Sequence, residues 1–542
     1  MSLETAKQAV ASARSIVDAM GKGLAARVSE NGRLSREKLD AIQPEAFEFA
    51  RSLAEVEAAE SALRYAERLG QSYETDLANI YAATAVKRTL ERVIFQSGYG
   101  VAQELVAAGQ AHLAYVSEIL GSENLDRVGQ ALLERDRDVS GAYGLSEDHE
   151  DIRATFARFS DEKVAPLAEH IHRTDGIIPE SLLKAYVELG VFGISIPEEY
   201  EGTAQDNLSM VLATEELSRG SVGAGGSVIT RPEIASKAIL KGGSEEQKQY
   251  WLPRISTGET FISVAVTEPN AGSDVAGLRV TARRTEGGYL INGEKTWCTF
   301  AGRANTFILL ARTGEVSDGW RGLTMFLVEK EAKISETDHH SFDYTQPEGG
   351  RVSGHAIPTL GYRGMHSFTV TFEDYFVPEA NRISGEGDGF KLQMAGFAGG
   401  RIQTAARAVG LMEAALRTGI QYAKDRNVFG QPLATFSMTR AKLAQMASFL
   451  MASRQLTYHV CELMDEGQGT MEASLVKLMS CRDAEWVARE ALQIHGGMGY
   501  SEEYAVSRYF VDARVLSIFE GAEEVLALSV VARSYLEGVI KG

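Results

Sequence analysis

The chain has 542 residues, more than one hydrophobic core can usefully hold, so three or four domains or layers are expected. Hydrophobic residues make up 44%, an ordinary share for a globular protein, and the net charge is −19. That charge argues against a nucleic-acid partner, since phosphate binding needs a basic face. Any phosphate-bearing ligand must instead find local basic groups and backbone N–H donors.

The cysteines, Cys298, Cys461 and Cys481, form no C-x-x-C pair, and their odd number fits a reducing cytosol rather than a disulfide framework. The opening "MSLETAKQAV" lacks a basic-then-apolar signal pattern. No apolar run reaches membrane-spanning length. A cytoplasmic protein without a membrane partner is expected.

Residues 1–145 are rich in Ala, Glu, Leu and Arg. Leu69, Tyr73, Leu77, Ile80 and Tyr81 recur at helical spacing, which predicts an N-terminal helical extension built of hairpins. "VSGAYGLSEDHE" (139–150) reads as a linker. A second helical domain is expected over 146–262, where Ser244 and Gln247 of "GSEEQKQYW" form a capping box.

Over 263–385 the period changes to two. Leu278, Val280 and Ala282 alternate with Arg279, Thr281 and Arg283, and "EGG" turns the chain before "YLING". "NTFILLAR", "LTMFLVE" and "SFTVTFED" read as further strands. The polar stretch "SETDHHSFDYTQPEGGRVSGHAI" (335–357) reads as a loop insertion. From 386 to 542 the chain is helical again. Ile402, Val409, Met412, Leu416 and Ile420 form one stripe, and Leu443, Met446, Leu450, Leu456, Val460 and Leu463 a second. The expected fold is mainly α with an inserted β domain.

"GEGDGF" (385–390) follows a loop rather than a strand, so it reads as a turn before a helix and not as a dinucleotide fingerprint. "EHIH" and "HHSFD" lack partner ligands at zinc spacing, and no metal is expected. "VTEPNAGSD" (266–274) is more specific: a strand ends in a turn of exposed N–H groups and hydroxyls, suited to phosphate or a heteroaromatic ring. On the next hairpin, alternation puts Trp297 and Thr299 on one face, an aromatic plane beside a hydroxyl donor. Arg426 closes a helix in "DRNVFGQP". "QIHGGMGY" carries three glycines past a helix end, where a cap needs one, so a backbone or ligand is expected to come close. In "IFEGAEEV" a lone Glu520 follows an apolar pair and abuts Gly521.

"TEPNAGSD", "YLINGEKTW", "FVPEAN", "GDGF", "YAKDRNVFGQPL", "QIHGGMGY" and "FEGAEEV" occur in the order and spacing of one family. Over residues 150–540 the chain resembles the acyl-CoA dehydrogenases, which are FAD flavoproteins. The resemblance implies an α-helical domain, a β-barrel-like domain and a C-terminal four-helix bundle. It implies Glu520 as catalytic base; the family's alternative base position is Gly400 here, beside Arg401. A carboxylate set against an apolar ring system is a stronger base, better matched to an α-proton near neutral pH. It further implies that Val266, Thr267, Ser273, Trp297 and Thr299 hold the flavin. Arg426, Phe429, Gln493, Gly496 and Gly497 would reach the flavin of a neighbouring subunit, in a homodimer or homotetramer. Ser273, Arg401 and Gly521 would contact the acyl-CoA, and an electron-transferring flavoprotein would take the electrons. Ala522, Phe519, Ser437, Cys298 and Phe300 depart from the common pattern and put details of cofactor contact in doubt.

A typical member would begin near residue 146. The long extension, with "EGA" after the aromatic residue, resembles the subgroup acting on (2S)-methylsuccinyl-CoA. Arg231 lies in the segment that walls the acyl pocket, where a buried guanidinium suits a short branched dicarboxylic acyl group, oxidised to a mesaconyl-type product. The competing readings are Arg231 facing solvent or paired with Glu233, and a substrate of isovaleryl, glutaryl or butyryl type. An acyl-CoA oxidase using O₂ and a non-catalytic scaffold homologue are the other classes.

Overall fold

The structure is a computed structural model that describes residues 2–95, 97–332, 340–347 and 349–542. Packing divides the chain into two compact units, Met1–Ile152 with Thr404–Gly542, and Arg153–Gln403.

The first unit is helical. Its N-terminal part holds long helices at Leu3–Val28, Gln43–Leu69 and Ser72–Phe95 and a shorter one at Ser122–Leu133. The helical stripe expected from Leu69 to Tyr81 is split: Gly70 adopts φ 65° and caps the second helix, so Leu69 ends that element and Tyr73 to Tyr81 belong to the next. The chain from Thr404 supplies the rest, with helices Ser437–Asp465, Thr470–His495 and Ala505–Leu516.

The extension and the C-terminal helices share one interior. Ser448 Oγ donates to the Leu77 carbonyl at 2.8 Å, and Arg440 Nε meets Asp126 at 2.7 Å. A Cβ on Gly129 would lie 2.3 Å from the Arg440 carbonyl oxygen, so only glycine permits this approach. The stretch after residue 139 is bound in rather than a free tether. Tyr73 Oη donates to the Val139 carbonyl at 2.6 Å, Ser140 Oγ to Glu413 at 2.9 Å, and Arg454 Nη1 to Ser140 Oγ at 2.7 Å.

Buried charges lie on both sides of this interior. Arg92 and Arg88 meet Glu55 at 2.5 and 3.0 Å, and Ser453 Oγ lies 3.3 Å from Asp483.

In the second unit, helices Asn207–Gly220, Thr230–Gly242 and Glu245–Ser256 precede a nine-stranded sheet. The Ser244–Gln247 capping box forms in both directions. Numbered within this sheet, the strands are β1 (Ile262–Ala265), β2 (Thr281–Thr285), β3 (Gly288–Thr299), β4 (Thr306–Arg312), β5 (Leu323–Glu329), β6 (Ser341–Thr345), β7 (Arg351–Ala356), β8 (Ser367–Pro378) and β9 (Arg382–Ile383). Their order is β9-β5-β4-β2-β3-β8-β7-β6, with β1 parallel to β4.

The central strands β4 and β5 are nearly continuous apolar runs because both faces are covered. Phe307, Leu309 and Phe326 enter the sheet core, while Ile308, Met325 and Leu327 pack on Trp251, Leu252 and Ile239 of the helices. Strand β2 instead buries only Ala282.

The loop expected over 335–357 is corrected in part. Residues 335–339 and 348 lie outside the described residues, but β6 and β7 form an antiparallel hairpin that continues the sheet beyond β8. Phe342 and Val352 enter the core from it. With only one or two apolar anchors per strand, polar outward residues hide the period.

Burial pushes the Asp483 carboxyl up to about 7; Arg88 opposes that shift and Glu55 adds to it. The folded protein therefore keeps a proton there that the unfolded chain releases near pH 4. Between those values stability falls as pH rises. Asp483→Asn removes the titration and should raise the melting temperature relative to wild type at pH 8, by an equivalent of a few kcal/mol at most, with little effect at pH 5. Equal effects at both pH values would show that Asp483 does not titrate this way.

Candidate active site

In the second unit the sequence-predicted cofactor residues lie on two neighbouring segments. Val266 is buried, Thr267 half-buried and Ser273 exposed on the turn after β1; Trp297 and Thr299 close β3. Lys295 joins the segments. Its side chain is 0% exposed, and its Nζ donates to the Val266 carbonyl at 2.8 Å and to Glu268 at 2.9 Å. Glu268 in turn accepts from the Val280 and Arg279 backbone N–H groups at 2.8 and 2.7 Å, and Thr296 N–H donates to the Thr267 carbonyl at 2.8 Å. Burial pulls the Lys295 ammonium below the usual lysine value, and Glu268 opposes that shift.

Trp297 is 55% exposed at φ 58°, a conformation unusual for a bulky residue. The register between β3 and β8 slips there, with Lys295 opposite Val370 and Cys298 opposite Phe368. This bulge lets Lys295 and Cys298 both face the core while Trp297 stays outside. Thr299 Oγ1 lies 2.9 Å from Ser367 Oγ. An exposed indole plane beside threonine hydroxyls and a turn bearing an exposed serine has the donor set that a flavin ring requires.

Arg231 is 6% exposed, which excludes the solvent-facing alternative. Its Nη2 donates to the Ser227 carbonyl at 2.5 Å and lies 3.6 Å from Met365 Sδ. It lines a small cavity with Leu183, Phe192, Phe261, Phe300 and Met365. Glu233 meets Lys237 and Gln403. Arg401 is half-buried on the helix Gly389–Asp425, with its guanidinium 5.8 Å from the Phe397 ring centre.

The other predicted residues belong to the first unit. Glu520 adopts φ 54° and Gly521 φ 103°. Lys477 Nζ donates to the Gly521 carbonyl at 2.7 Å. Arg426 precedes a two-residue ladder whose turn, Phe429 at φ 50° and Gly430 at φ 84°, leaves Phe429 97% exposed. Gln493 is exposed in the last turn of its helix, and exposed Gly496 and Gly497 follow it. His495 stacks on Tyr422 at 4.1 Å, which brings the two segments together.

Lys295, Glu268 and Lys477 were not singled out from sequence. Strict alternation gives Lys295 the outward face of Trp297, so nothing local marked it as buried. Asp175, His340 and His366 form the one cluster among the described residues with metal-ligand atoms within 4.8 Å of one another. Arg363 Nε also lies 3.1 Å from the Asp175 carboxylate. Cys298, Cys461 and Cys481 are free and buried. Among the described residues no helix is long and apolar enough to cross a membrane.

The chain belongs to the acyl-CoA dehydrogenase family: residues 146–259, 263–375 and 387–536 match the family's N-terminal, middle and C-terminal domains. It is 46% identical over 403 residues to a (2S)-methylsuccinyl-CoA dehydrogenase of Cereibacter sphaeroides, covering 74% of this chain and 72% of that one. Butyryl-CoA dehydrogenase of Megasphaera elsdenii has a similar structure, with TM-score 0.65 and 32% identity over 71% of this chain and 97% of that one. A glutaryl-CoA dehydrogenase of Mycobacterium smegmatis in complex with FADH2 gives TM-score 0.64 and 28% identity over 72% and 95%. The protein is thus an FAD-dependent oxidoreductase acting on an acyl-CoA.

Lys295→Met leaves Glu268 buried without its cation, so it should cost about 3–5 kcal/mol of stability. The purified variant should also lose most of its FAD, read by flavin absorbance per chain. Full flavin content at an unchanged melting temperature would remove the clamp from the site.

Proposed function

We propose that this enzyme oxidises a short branched dicarboxylic acyl-CoA, (2S)-methylsuccinyl-CoA to mesaconyl-CoA. The observation that carries the reading is Arg231, bonded to Ser227 and buried at a small cavity whose other lining, Thr260 apart, is apolar or aromatic. A guanidinium there favours a chain that ends in a carboxylate and penalises one that does not. The match to the Cereibacter sphaeroides enzyme leaves about a quarter of each chain outside it, whereas the butyryl-CoA dehydrogenase is covered almost whole. Each of the two chains therefore carries a long stretch outside the match.

In the proposed reaction Glu520 takes the α-proton of the thioester. Backbone N–H of the Glu520 segment supports the carbonyl as negative charge grows on it. Val266, Thr267, Ser273, Trp297 and Thr299 would hold FAD, which when bound would supply the acceptor for the hydride of the β-carbon. Arg401, Ser273 and Gly521 contact the acyl-CoA, and Arg231 pairs with its distal carboxylate. The carboxylate stays on the product, because loss of CO₂ from a fumaryl-type acyl group would leave an unstabilised vinyl anion.

The proposal includes a cytoplasmic homodimer or homotetramer that passes its electrons to an electron-transferring flavoprotein. The exposure of Phe429, Met438 and Tyr500, beside glycines whose added Cβ would meet nothing within 4 Å, supports a subunit contact there. Phe429→Glu should lower both the oligomeric state by sedimentation and the FAD content. A variant that sediments as wild type and keeps its flavin counts against that contact.

Two substitutions test the chemistry. Glu520→Gln should keep FAD and lose turnover by roughly 10² to 10⁴. Arg231→Ala should cut kcat/KM for methylsuccinyl-CoA about ten- to a hundredfold, while isovaleryl-CoA changes little. Arg231→Lys should recover part of the loss, lacking the planar fork. A parallel fall for both substrates makes Arg231 structural, and a wild-type preference for isovaleryl-CoA ends the dicarboxylate reading.

A further inference from the structure

Glu520 sits in a backbone conformation that a non-glycine residue holds only when its surroundings impose it. Three side chains of the helix Thr470–His495 grip the short segment around it. Lys477, itself fully buried, donates to the Gly521 carbonyl at 2.7 Å. Arg482 Nη1 meets Glu523 at 2.9 Å. Glu485 accepts from Ser517 Oγ. The segment closes on itself where Glu523 N–H donates to the Ser517 carbonyl at 3.1 Å. The Gly521 carbonyl lies in the peptide that follows Gly521, one plane beyond the two that flank the Glu520 Cα, so holding it restrains the path by which the chain leaves Glu520.

The same helix face looks toward the N-terminal helices. A cavity of about 360 Å³ is lined by Arg482, Asp483, Glu485 and Glu523 on one side and by Arg51, Glu55 and Arg88 on the other. Burial and the nearby Arg482 charge both pull Arg51 below the usual arginine value. Arg482 therefore touches the base segment through Glu523 and feels the extension's charges across the cavity.

We propose that Lys477 is a positioning residue for Glu520, and that Arg482 is a second anchor through which the N-terminal extension steadies the same segment. This rests on Glu520 being the base. It assigns a task to two cations that contact no reacting atom, and it gives the extension a route to the chemistry.

The experiment compares Lys477→Met, Lys477→Arg, Arg482→Gln and Glu520→Gln as full-length, FAD-loaded enzymes. The probe is methylsuccinyl-CoA, or the acyl-CoA that wild type oxidises fastest, with and without deuterium at the α-carbon. FAD content and melting temperature are recorded for each. Lys477→Met is expected to lower kcat about ten- to a hundredfold with KM within about threefold, and to raise the α-deuterium isotope effect, because proton abstraction becomes more limiting. Lys477→Arg should restore part of the rate. Arg482→Gln, on a partly exposed side chain that the fold can spare, should show the same signature at about three- to tenfold. If Lys477→Met fails to fold, Arg482→Gln decides alone. A rate within twofold of wild type, or a loss without change in the isotope effect, overturns the positioning role while Glu520→Gln remains inactive. Wild-type turnover in Glu520→Gln takes down the base assignment and this inference with it.

Discussion

The geometry of the proposed cofactor side depends on one buried ion pair, Lys295 with Glu268. Two elements far apart in sequence must be held in register, the turn after β1 and the end of β3. Lys295 reaches from one to the other and finds both a carbonyl and a carboxylate. Glu268 spends its remaining acceptor capacity on two backbone N–H groups at the head of β2. Desolvating two charges is expensive, and such a pair is weak evidence for net stability. Its value lies in direction. An apolar pair could fill the volume but could not specify which carbonyl and which N–H groups it faces.

The first unit repeats the device at the proposed base. There a buried lysine grips the carbonyl of Gly521, next to Glu520 at φ 54°; in the second unit a buried lysine lies two residues before Trp297 at φ 58°. Both strained positions carry side chains to which the chemistry is assigned; at Glu520 an ammonium holds the next residue's carbonyl, and near Trp297 one ties the strand to the Val266 carbonyl. Strained conformations persist only where the surroundings over-determine them. Leucine or methionine could pack as well but would leave a carbonyl unpaired.

Much of the fold was legible because periodicity reports burial directly. The strands "NTFILLAR" and "LTMFLVE" and the Ser244 capping box read correctly since their signals are local. What failed depended on partners. Strict alternation puts Lys295, Trp297 and Thr299 on one face, and it gave the right relation for Trp297 and Thr299 while hiding the lysine. The bulge opposite Thr369 inserts one extra residue and sends Lys295 inward. Nothing within "GEKTWCTF" announces it, because the cause is the slip in pairing with β8. The β6–β7 hairpin was read as loop for a related reason: its edge position leaves most side chains in solvent. Arg231 could be placed in a pocket wall only through the family pattern. Its burial came from the structure.

The extension shows how an added segment becomes part of an existing core. A helical block resting on an apolar surface alone could slide, because hydrophobic contact is not directional. Here the contact is indexed by polar pairs that tolerate one register. Arg454 and Glu413 are both buried, and Ser140 bonds to each of them. Arg440 holds Asp126 beside Gly129, where the backbones come too close for any other residue. Arg88 and Arg92 share Glu55 opposite the helix that grips the Glu520 segment. Removing Glu413 would strand the buried Arg454, and a slipped packing would separate Ser140 from both and Asp126 from Arg440. The extension packs against the helix whose Lys477 and Arg482 reach the segment of the proposed base, so the polar pairs that fix its register lie one layer from that segment.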